Sequence, residues 1–473
     1  MSGVGVTDLA LVIPEIILVG TALVLILLAR RTRESPVAVI ATVVAALAAA
    51  VASGWLLSRG TAIGFGGMIT LDGYSQFFKI LIAASLALVA LLSVRSIRAE
   101  QIPRGEYHAL LLLGSTGMML AVSAVDLLTL YLALELITIP SYILVGITVQ
   151  KRASNEAAIK YFLIASFASA LLLYGISLTY GITGSTNFGA IASALSEHGL
   201  GSKPLFVAAV GLIVAGLAFK IAAVPFHSWA PDAYQGAIPP VAAFLASGSK
   251  AAGLAVIGRV SLVAFSSEAQ VMSVLLAGLA GLSIVVGSVV AMAQTDMKRL
   301  LAYSSIAHVG YALLGLIAGT PEGASATMTY AFFYVFMTLG AFGVMIALGE
   351  RGETLDGYQG LATQRPLTAW LMLLFLLSLT GIPPTAGFVA KFGVILSAVR
   401  AGHVALAVLA VLFSVVSAFV YMRVAVFMFM KEPQEAAPSR LPVAVLSALA
   451  LAALVTLIGG IFPASLVTWA VSP

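Results

Sequence analysis

Apolar runs of about 20 residues recur along most of this 473-residue chain, and only short connections separate them. A run of that length crosses about 30 Å of hydrocarbon as an α-helix, because each residue adds about 1.5 Å. Hydrophobic residues make up 61% of the chain and charged residues 9%, a balance outside the range of soluble domains. The sequence therefore predicts an all-α polytopic membrane protein with about 14 transmembrane helices.

The basic residues predict how these helices are oriented. Lys and Arg concentrate in the connections after odd-numbered spans, whereas the connections after even-numbered spans hold only Arg59, Lys203, Arg259 and Arg400. Since basic connections stay in the cytoplasm, both termini are predicted outside. The formal charge of +5 is therefore interpreted as topology, and nucleic acid is not an expected partner.

The connections and the composition also limit the chemistry of this chain. No connection is long enough for a soluble domain, so catalytic modules are expected in partner chains. The chain contains no cysteine, which excludes disulfides, thiolate metal sites and iron–sulfur ligation within it.

Four lysines lie inside predicted spans: Lys79, Lys220, Lys250 and Lys391. Lys79 is one turn into the third span, where its ammonium is expected to reach the membrane interface. The other three lie deeper, where a charge costs about 2.5 to 3.5 kcal/mol. They are therefore expected to have charged partners, to contact water or to release their proton, and each outcome lets them titrate.

Acidic and histidine side chains accompany these lysines. Glu135, in "DLLTLYLALELITIPSY", lies well inside its span and is the expected ion-pair partner of one lysine. His227 and His308 could carry protons near neutral pH, and an inert packed role stays equally open. Asp126 is a possible proton-access group at a helix start, whereas Glu15 is expected to be structural.

Prolines predict that two of the lysine-bearing helices are discontinuous. Pro225 follows Lys220 by five residues, and Pro383 and Pro384 precede Lys391. If spans 4–8 and 9–13 form two units, the broken helix is the fourth member of each, and the second unit is inverted. The predicted divisions are a three-helix segment at 1–107, a first five-helix repeat at 108–263, an inverted second repeat at 264–430, and a C-terminal helix at 431–473.

The stretch "FKIAAVPFHSWAPDAYQGAIPPVAAFLASGSKAA" resembles the hallmark of the antiporter-like subunits of respiratory complex I and of the related multisubunit cation/proton antiporters. "LLTLYLALEL" around Glu135 and "KRLLAYSSIAHVGY" around His308 extend the resemblance over most of the chain. Two further features favour one branch of that family, whose members lack a long lateral helix. One is the stretch "GIPPTAGFVAKF", with its lysine at 391. The other is that the chain ends soon after the last predicted span. The chain reads "GAIPP" where the family commonly has "GAP", a difference confined to a connection.

The resemblance implies a role for each of these residues. Glu135 and Lys220 would form a pair that makes and breaks, Lys250 would relay protons at the centre, and Lys391 would end the route. His227 and His308 would connect them through water.

The resemblance also implies what the chain belongs to. It would be a non-redox, proton-translocating subunit of NADH–quinone oxidoreductase in a bacterial inner membrane. Its partners would be other membrane subunits, the lipid bilayer and, through those subunits, a redox peripheral arm. NADH, FMN, iron–sulfur clusters and quinone are expected in the complex and none in this chain. Two alternatives stay open: a subunit of a multisubunit sodium/proton antiporter, and a structural membrane element without its own proton channel.

Overall fold

The computed structural model describes residues 6–32, 35–199, 204–433 and 441–462, and α-helices dominate them. Lys203 and parts of the predicted C-terminal segment, 434–440 and 463–473, lie outside the described residues.

The helices occur in three groups along the chain. The N-terminal group comprises α1 (Val6–Leu11), α2 (Ile13–Leu27), α3 (Ala29–Thr32), α4 (Val37–Leu57) and α5 (Gly73–Ala99), with strands β1 (Ala62–Gly64) and β2 (Ile69–Leu71) paired antiparallel between α4 and α5. The next group comprises α6 (Arg104–Ser123), α7 (Leu127–Val145), α8 (Arg152–Thr183), α9 (Phe188–His198), α10 (Pro204–Ile221), α11 (Trp229–Gly236), α12 (Pro239–Ala246) and α13 (Gly248–Arg259). The last group comprises α14 (Ala269–Ala291), α15 (Met297–Ile317), α16 (Pro321–Leu348), α17 (Leu361–Gln364), α18 (Pro366–Thr380), α19 (Ala386–Arg400), α20 (Val404–Met430) and α21 (Val443–Ile461).

Eleven helices of the described residues are long and apolar enough to cross a membrane, judged by length and composition. The other predicted spans coincide with α2, α6 and the pair α18–α19. The all-α polytopic fold is therefore confirmed.

Two helices are interrupted where prolines predicted it. The chain leaves helical geometry between α10 and α11 and again between α18 and α19, and Pro225 and Pro384 lie in these gaps. Proline removes an amide donor and its ring clashes with the preceding turn, so neither helix continues. Gly381 ends α18 at φ 89°, a left-handed conformation that glycine adopts easily. The prediction of two discontinuous helices is confirmed.

A third interruption, between α12 and α13, was not predicted. Ser247 departs from helical geometry at φ −109° and ψ −90°, and its hydroxyl donates to the carbonyl of Ala243 at 2.6 Å. Serine often bonds its own backbone in this way and bends the helix. The break lies three residues before Lys250.

The same helix pair is built twice along the chain. Asp126 caps α7 by accepting from backbone amides, and Asp296 caps α15 in the same manner. The backbone of Asp126 also forms an isolated antiparallel β-bridge with Asn187, beyond α8. Asp296 forms the same kind of bridge with Thr354, beyond α16. The equivalent positions agree with two inverted units, whereas the division points at 107, 263 and 430 stay a prediction.

A glycine at a close helix contact lies at the same distance in sequence before each of the two capping aspartates. Gly117 lies nine residues before Asp126, and a Cβ there would be 2.7 Å from the backbone nitrogen of Ile137 on α7. Gly287 lies nine residues before Asp296, and its Cβ would be 2.5 Å from the backbone nitrogen of Ala307 on α15. In both places glycine lets two helices approach closely.

The centre of the molecule is formed by α13, α15 and α16, which are almost completely buried. Helices α4, α8 and α20 lie outside and expose many Leu, Val and Phe side chains. A lipid or protein environment is expected around these outer faces.

The expectation for Lys79 was wrong. Its side chain does not extend to the membrane interface but is fully buried, with Nζ 2.8 Å from Glu15 Oε1. The reason is tertiary, because α2 and α5 both pack against α4 and α6, and this arrangement brings a carboxylate of α2 within reach of Lys79. A pair between the first and third spans cannot be seen in the sequence spacing.

Candidate functional site

Glu135 and Lys220 line one small cavity without direct ion-pair contact. The Glu135 carboxylate accepts a short hydrogen bond from the Ser169 hydroxyl on α8, and Lys220 Nζ donates to Thr138 Oγ1 at 3.3 Å. The cavity between them, about 20 Å³, also includes Gly216 in its lining and is large enough for one water. The expected partners are therefore close together, with polar neighbours of their own.

Lys250 lies at the centre of the molecule and is fully buried. Its ammonium donates to the hydroxyl of Ser305 on α15 at 2.7 Å. The break at Ser247 is held on the other side by Ser85 of α5, whose hydroxyl is 3.0 Å from that of Ser247. A bent helix thus directs Lys250 towards the middle of α15.

His308 lies one turn beyond Ser305 on the same helix. Its Nδ1 is 2.7 Å from the hydroxyl of Tyr330, and its Nε2 is 3.4 Å from the hydroxyl of Tyr421. Both ring nitrogens therefore have hydroxyl neighbours that can pass protons.

Lys391 lies on α19, just beyond the second broken region. Its ammonium donates to the carbonyl of Thr380 at 2.8 Å and to the hydroxyl of Ser414 at 3.1 Å. Thr380 ends α18, so its carbonyl lacks a helical partner and can accept from the lysine. The ammonium also lies 4.4 Å from the ring centroid of Tyr311, a cation–π contact.

His227 and Asp126 lie in different surroundings. His227 is half-buried in the gap between α10 and α11, and within the described structure its Nδ1 has no hydrogen-bond partner. The two carboxylate oxygens of Asp126 are occupied by the cap of α7 and by the hydroxyl of Thr186, which donates at 2.5 Å. Asp126 is therefore engaged as a helix cap, and a relay role for it stays a prediction.

The neutral partners of the lysines were missed in the sequence. Thr138, Ser305 and Ser414 supply hydroxyls, and hydroxyl residues are too common in helices to be singled out. A usable signal was helical spacing, because Thr138 follows Glu135 by three residues and Ser305 precedes His308 by three.

A cluster of charged side chains connects the first turn of α11 to the neighbouring helices α8 and α15. Asp232 is 2.8 Å from the guanidinium of Arg299 on α15 and 3.4 Å from the ammonium of Lys160 on α8. These contacts hold the second half of the first broken helix against helices of both predicted units.

A second ion pair lies at the start of α5, just outside its helical residues. Arg259 donates to both oxygens of Asp72, at 2.7 and 2.8 Å. Burial raises the pKa of the Asp72 carboxyl, but the hydrogen bonds and charge of Arg259, with the amide of Ser75, outweigh burial and hold the pKa below its usual range.

The donor groups of the site suit protons better than metals. Among the described residues no three His, Cys, Asp or Glu side chains gather into a metal-binding group. Lys220, Lys250, Lys391, His308 and their hydroxyl partners supply amines, an imidazole and hydroxyls, which exchange protons through hydrogen bonds.

Buried lysines beside broken helices, in two related units, define a multi-pass, antiporter-like membrane subunit. A family model described as "NADH:quinone oxidoreductase/Mrp antiporter, TM" matches residues 124–419. The chain belongs to this family.

Its relatives include members of the branch favoured by the sequence. NADH-quinone oxidoreductase subunit N of Desulfovibrio desulfuricans is 44% identical, over 98% of this chain and 96% of that protein. Subunit N 2 of Rhizobium meliloti is also 44% identical, over 96% of this chain and 95% of that protein. The predicted resemblance is confirmed.

Solved structures give the same fold. A chain of respiratory complex I from Thermus thermophilus with bound aureothin superposes with a TM-score of 0.84 and 35% identity, covering 96% of this chain and 99% of that chain. A chain of the Mrp complex from Dietzia sp. DQ12-45-1b has a TM-score of 0.88 at 24% identity, covering 99% of this chain and 97% of that chain, and shows the fold alone.

Proposed function

We propose that this chain translocates protons as the antiporter-like membrane subunit of an NADH–quinone oxidoreductase in a bacterial inner membrane, with both termini outside. The main support is that Lys220, Lys250 and Lys391, all buried, contact hydroxyl or carbonyl oxygens rather than carboxylates. An ammonium without a fixed counter-charge is poorly stabilised at this depth, so a nearby charge can decide whether the amine keeps its proton.

Glu135 would control the first step. If its carboxylate moved from Ser169 to within about 4 Å of the Lys220 ammonium, the attraction would be about 4 kcal/mol at an effective dielectric near 20. That energy is enough to load the lysine when the pair forms and to unload it when the pair separates. The cavity between the two side chains leaves room for this exchange.

The released proton would then travel along the centre of the molecule. His227 would help water reach the first broken helix, Lys250 would take the proton beside Ser305, and His308 would pass it between the hydroxyls of Tyr330 and Tyr421. Lys391 would end the route.

The energy would come from partner chains. NADH, FMN, iron–sulfur clusters and quinone would be bound by a peripheral arm and by other membrane subunits, and electron transfer there would change the pairing of charges in the membrane.

The test is proton pumping by the assembled complex in proteoliposomes. Lys220→Ala and Glu135→Ala should each lower pumping about tenfold or more while assembly stays normal, because the switching pair is lost. Lys151→Ala is the matched control, since Lys151 forms an exposed pair with Glu100 that contributes little. Normal pumping by both variants, in a normally assembled complex, would contradict the proposal.

A structural membrane element is the simplest alternative. In that case the double variant Lys250→Ala/Lys391→Ala would keep normal turnover and pumping. Loss of pumping with assembly intact would instead favour proton transfer through these lysines.

A further inference from the structure

A second set of buried polar side chains lies on α2, α5 and α6, which pack together with α4. We call it the N-terminal polar row, and its members are Glu15, Gln76, Lys79, His108 and Ser115. Each residue is at most 3% exposed. The row is separate from the hydroxyl partners of Lys220, Lys250 and Lys391, and the proposed route does not use it.

Two members of the row project from α6 in a direction that lies between its contacts with α2 and its contacts with α5. Tyr107 on α6 bonds a serine of α5, whereas a Cβ on Gly105 would meet the Leu25 carbonyl of α2. At 3.6 residues per turn, His108 projects between these two directions. Ser115, two turns later, keeps nearly the same direction.

The same contacts fix the depth of the row. The start of α6 meets the end of α2 and the two helices pack along their lengths, so they run antiparallel. Ser115 lies ten residues beyond Gly105, and Glu15 lies ten residues before Leu25. Both are therefore about 15 Å from that contact, at the same depth in the membrane.

The polar atoms of the row are poorly satisfied within the described structure. Both ring nitrogens of His108, the hydroxyl of Ser115 and the amide oxygen of Gln76 have no hydrogen-bond partner there. Lys79 Nζ lies 2.8 Å from Glu15 Oε1, yet neither oxygen of Glu15 accepts a hydrogen bond of good geometry. A purely structural tie would satisfy its buried atoms, whereas a row of open donors and acceptors is suited to water and exchanging protons.

We propose that the N-terminal polar row is a second proton-binding site, in which the Glu15–Lys79 pair is loaded from the cytoplasmic side through His108 and Ser115. Its coupling to turnover rests on the proposed function above. Arg104, one turn before His108, is the charged group that acts on the imidazole.

Each transfer moves one proton and changes only N–H and O–H bonds. Neutral His108 would accept a proton on one ring nitrogen and release one from the other, so it needs no lasting charge. The Ser115 hydroxyl, with water, would pass a proton to Glu15 while accepting one from the histidine. Glu15 would become a neutral carboxyl, and Lys79 would keep its charge beside the Leu11 carbonyl, 3.4 Å from Nζ.

The experiment uses the assembled complex in proteoliposomes with the variants Glu15→Gln, His108→Phe and Glu15→Leu/Lys79→Met. The double variant should assemble, because apolar side chains can replace a buried ion pair. It should nevertheless translocate at least twofold fewer protons per NADH. Infrared difference spectra should show the carbonyl band of a protonated carboxyl during turnover, and Glu15→Gln should remove that band.

The control is Thr42→Val, which changes a buried hydroxyl of α4 that bonds only its own helix, at Ala38. It should match the unmodified protein. A wild-type proton ratio in the double variant together with no infrared change in Glu15→Gln would overturn the proposal and leave the row as a structural tie. If the double variant does not assemble, the infrared result of Glu15→Gln decides.

Lys250→Met separates the two proposals. If it leaves pumping intact, the proposed function fails, and the infrared band of Glu15 still tests the row. If it lowers pumping while every row variant behaves normally, only the N-terminal polar row is contradicted.

Discussion

At the scale of residues, the four buried lysines contact different kinds of partner. Lys79 faces a carboxylate, whereas Lys220, Lys250 and Lys391 face hydroxyl or carbonyl oxygens. The depth of Lys220, Lys250 and Lys391 could be predicted from the apolar runs around them, whereas the burial of Lys79 could not. The partners of all four could not be predicted, since a lysine side chain reaches several positions on two or three neighbouring helices.

The pair between Asp72 and Arg259 gives a prediction at this scale. Asp72→Asn should lower the free energy of unfolding by about 1 to 3 kcal/mol, because asparagine still caps α5 but leaves the guanidinium without its carboxylate. Since folding lowers the pKa of Asp72, its contribution is complete above the unfolded-state pKa of about 3.9 and is lost as the pH falls below it.

Thermal unfolding in detergent checks this prediction. The difference in Tm between the variant and the unmodified protein should be largest near neutral pH and should shrink towards about pH 3. Arg259→Gln should follow the same pH trend. A difference that does not change with pH would show that the charge of Asp72 is unimportant.

At the scale of elements, prolines and glycines govern the helices that matter most. Pro225 and Pro384 could be interpreted in advance, because proline acts locally, by removing an amide donor and crowding the preceding turn. The break at Ser247 could not, since serine is common inside helices and the hydroxyl that Ser247 contacts, that of Ser85, lies on another helix. Long-range contacts of this kind leave no periodic signal.

The repeated glycine contacts give a prediction for helix packing. Gly117→Ala and Gly287→Ala should each destabilise the protein by about 1 to 3 kcal/mol, because the added Cβ would lie 2.7 and 2.5 Å from backbone nitrogens. Gly211→Ala is the control, since open space surrounds that position and alanine favours the helix. Tm measured in detergent should fall for the first two variants and hold or rise for the control; equal Tm values in all three would argue against close packing.

At the scale of the whole molecule, two related units and an N-terminal segment share one core. Helix α5 of that segment packs against α12, α13 and α16, so it contacts both units. The buried lysines of both units therefore lie within one continuous packed body rather than in separate domains. The outer helices supply the faces that lipid or other subunits cover.

The choice between a respiratory complex and a sodium/proton antiporter belongs to this scale. We expect the chain to purify with flavin and iron–sulfur subunits, and we expect its proton pumping to be the same in sodium-free and sodium-containing buffer. Both follow if the deep lysines carry only protons. Pumping that requires sodium, in a preparation without a redox arm, would favour the antiporter.

The sequence alone determined the membrane architecture, the two proline breaks and the identities of the deep charged residues, because length, apolar runs and proline act locally. Only the tertiary structure decided which groups those residues meet: Ser305 for Lys250, Thr380 for Lys391 and Glu15 for Lys79. The physical reason is that a buried charge selects its partner among side chains far away in sequence, and helix packing determines which of them come within a few ångströms.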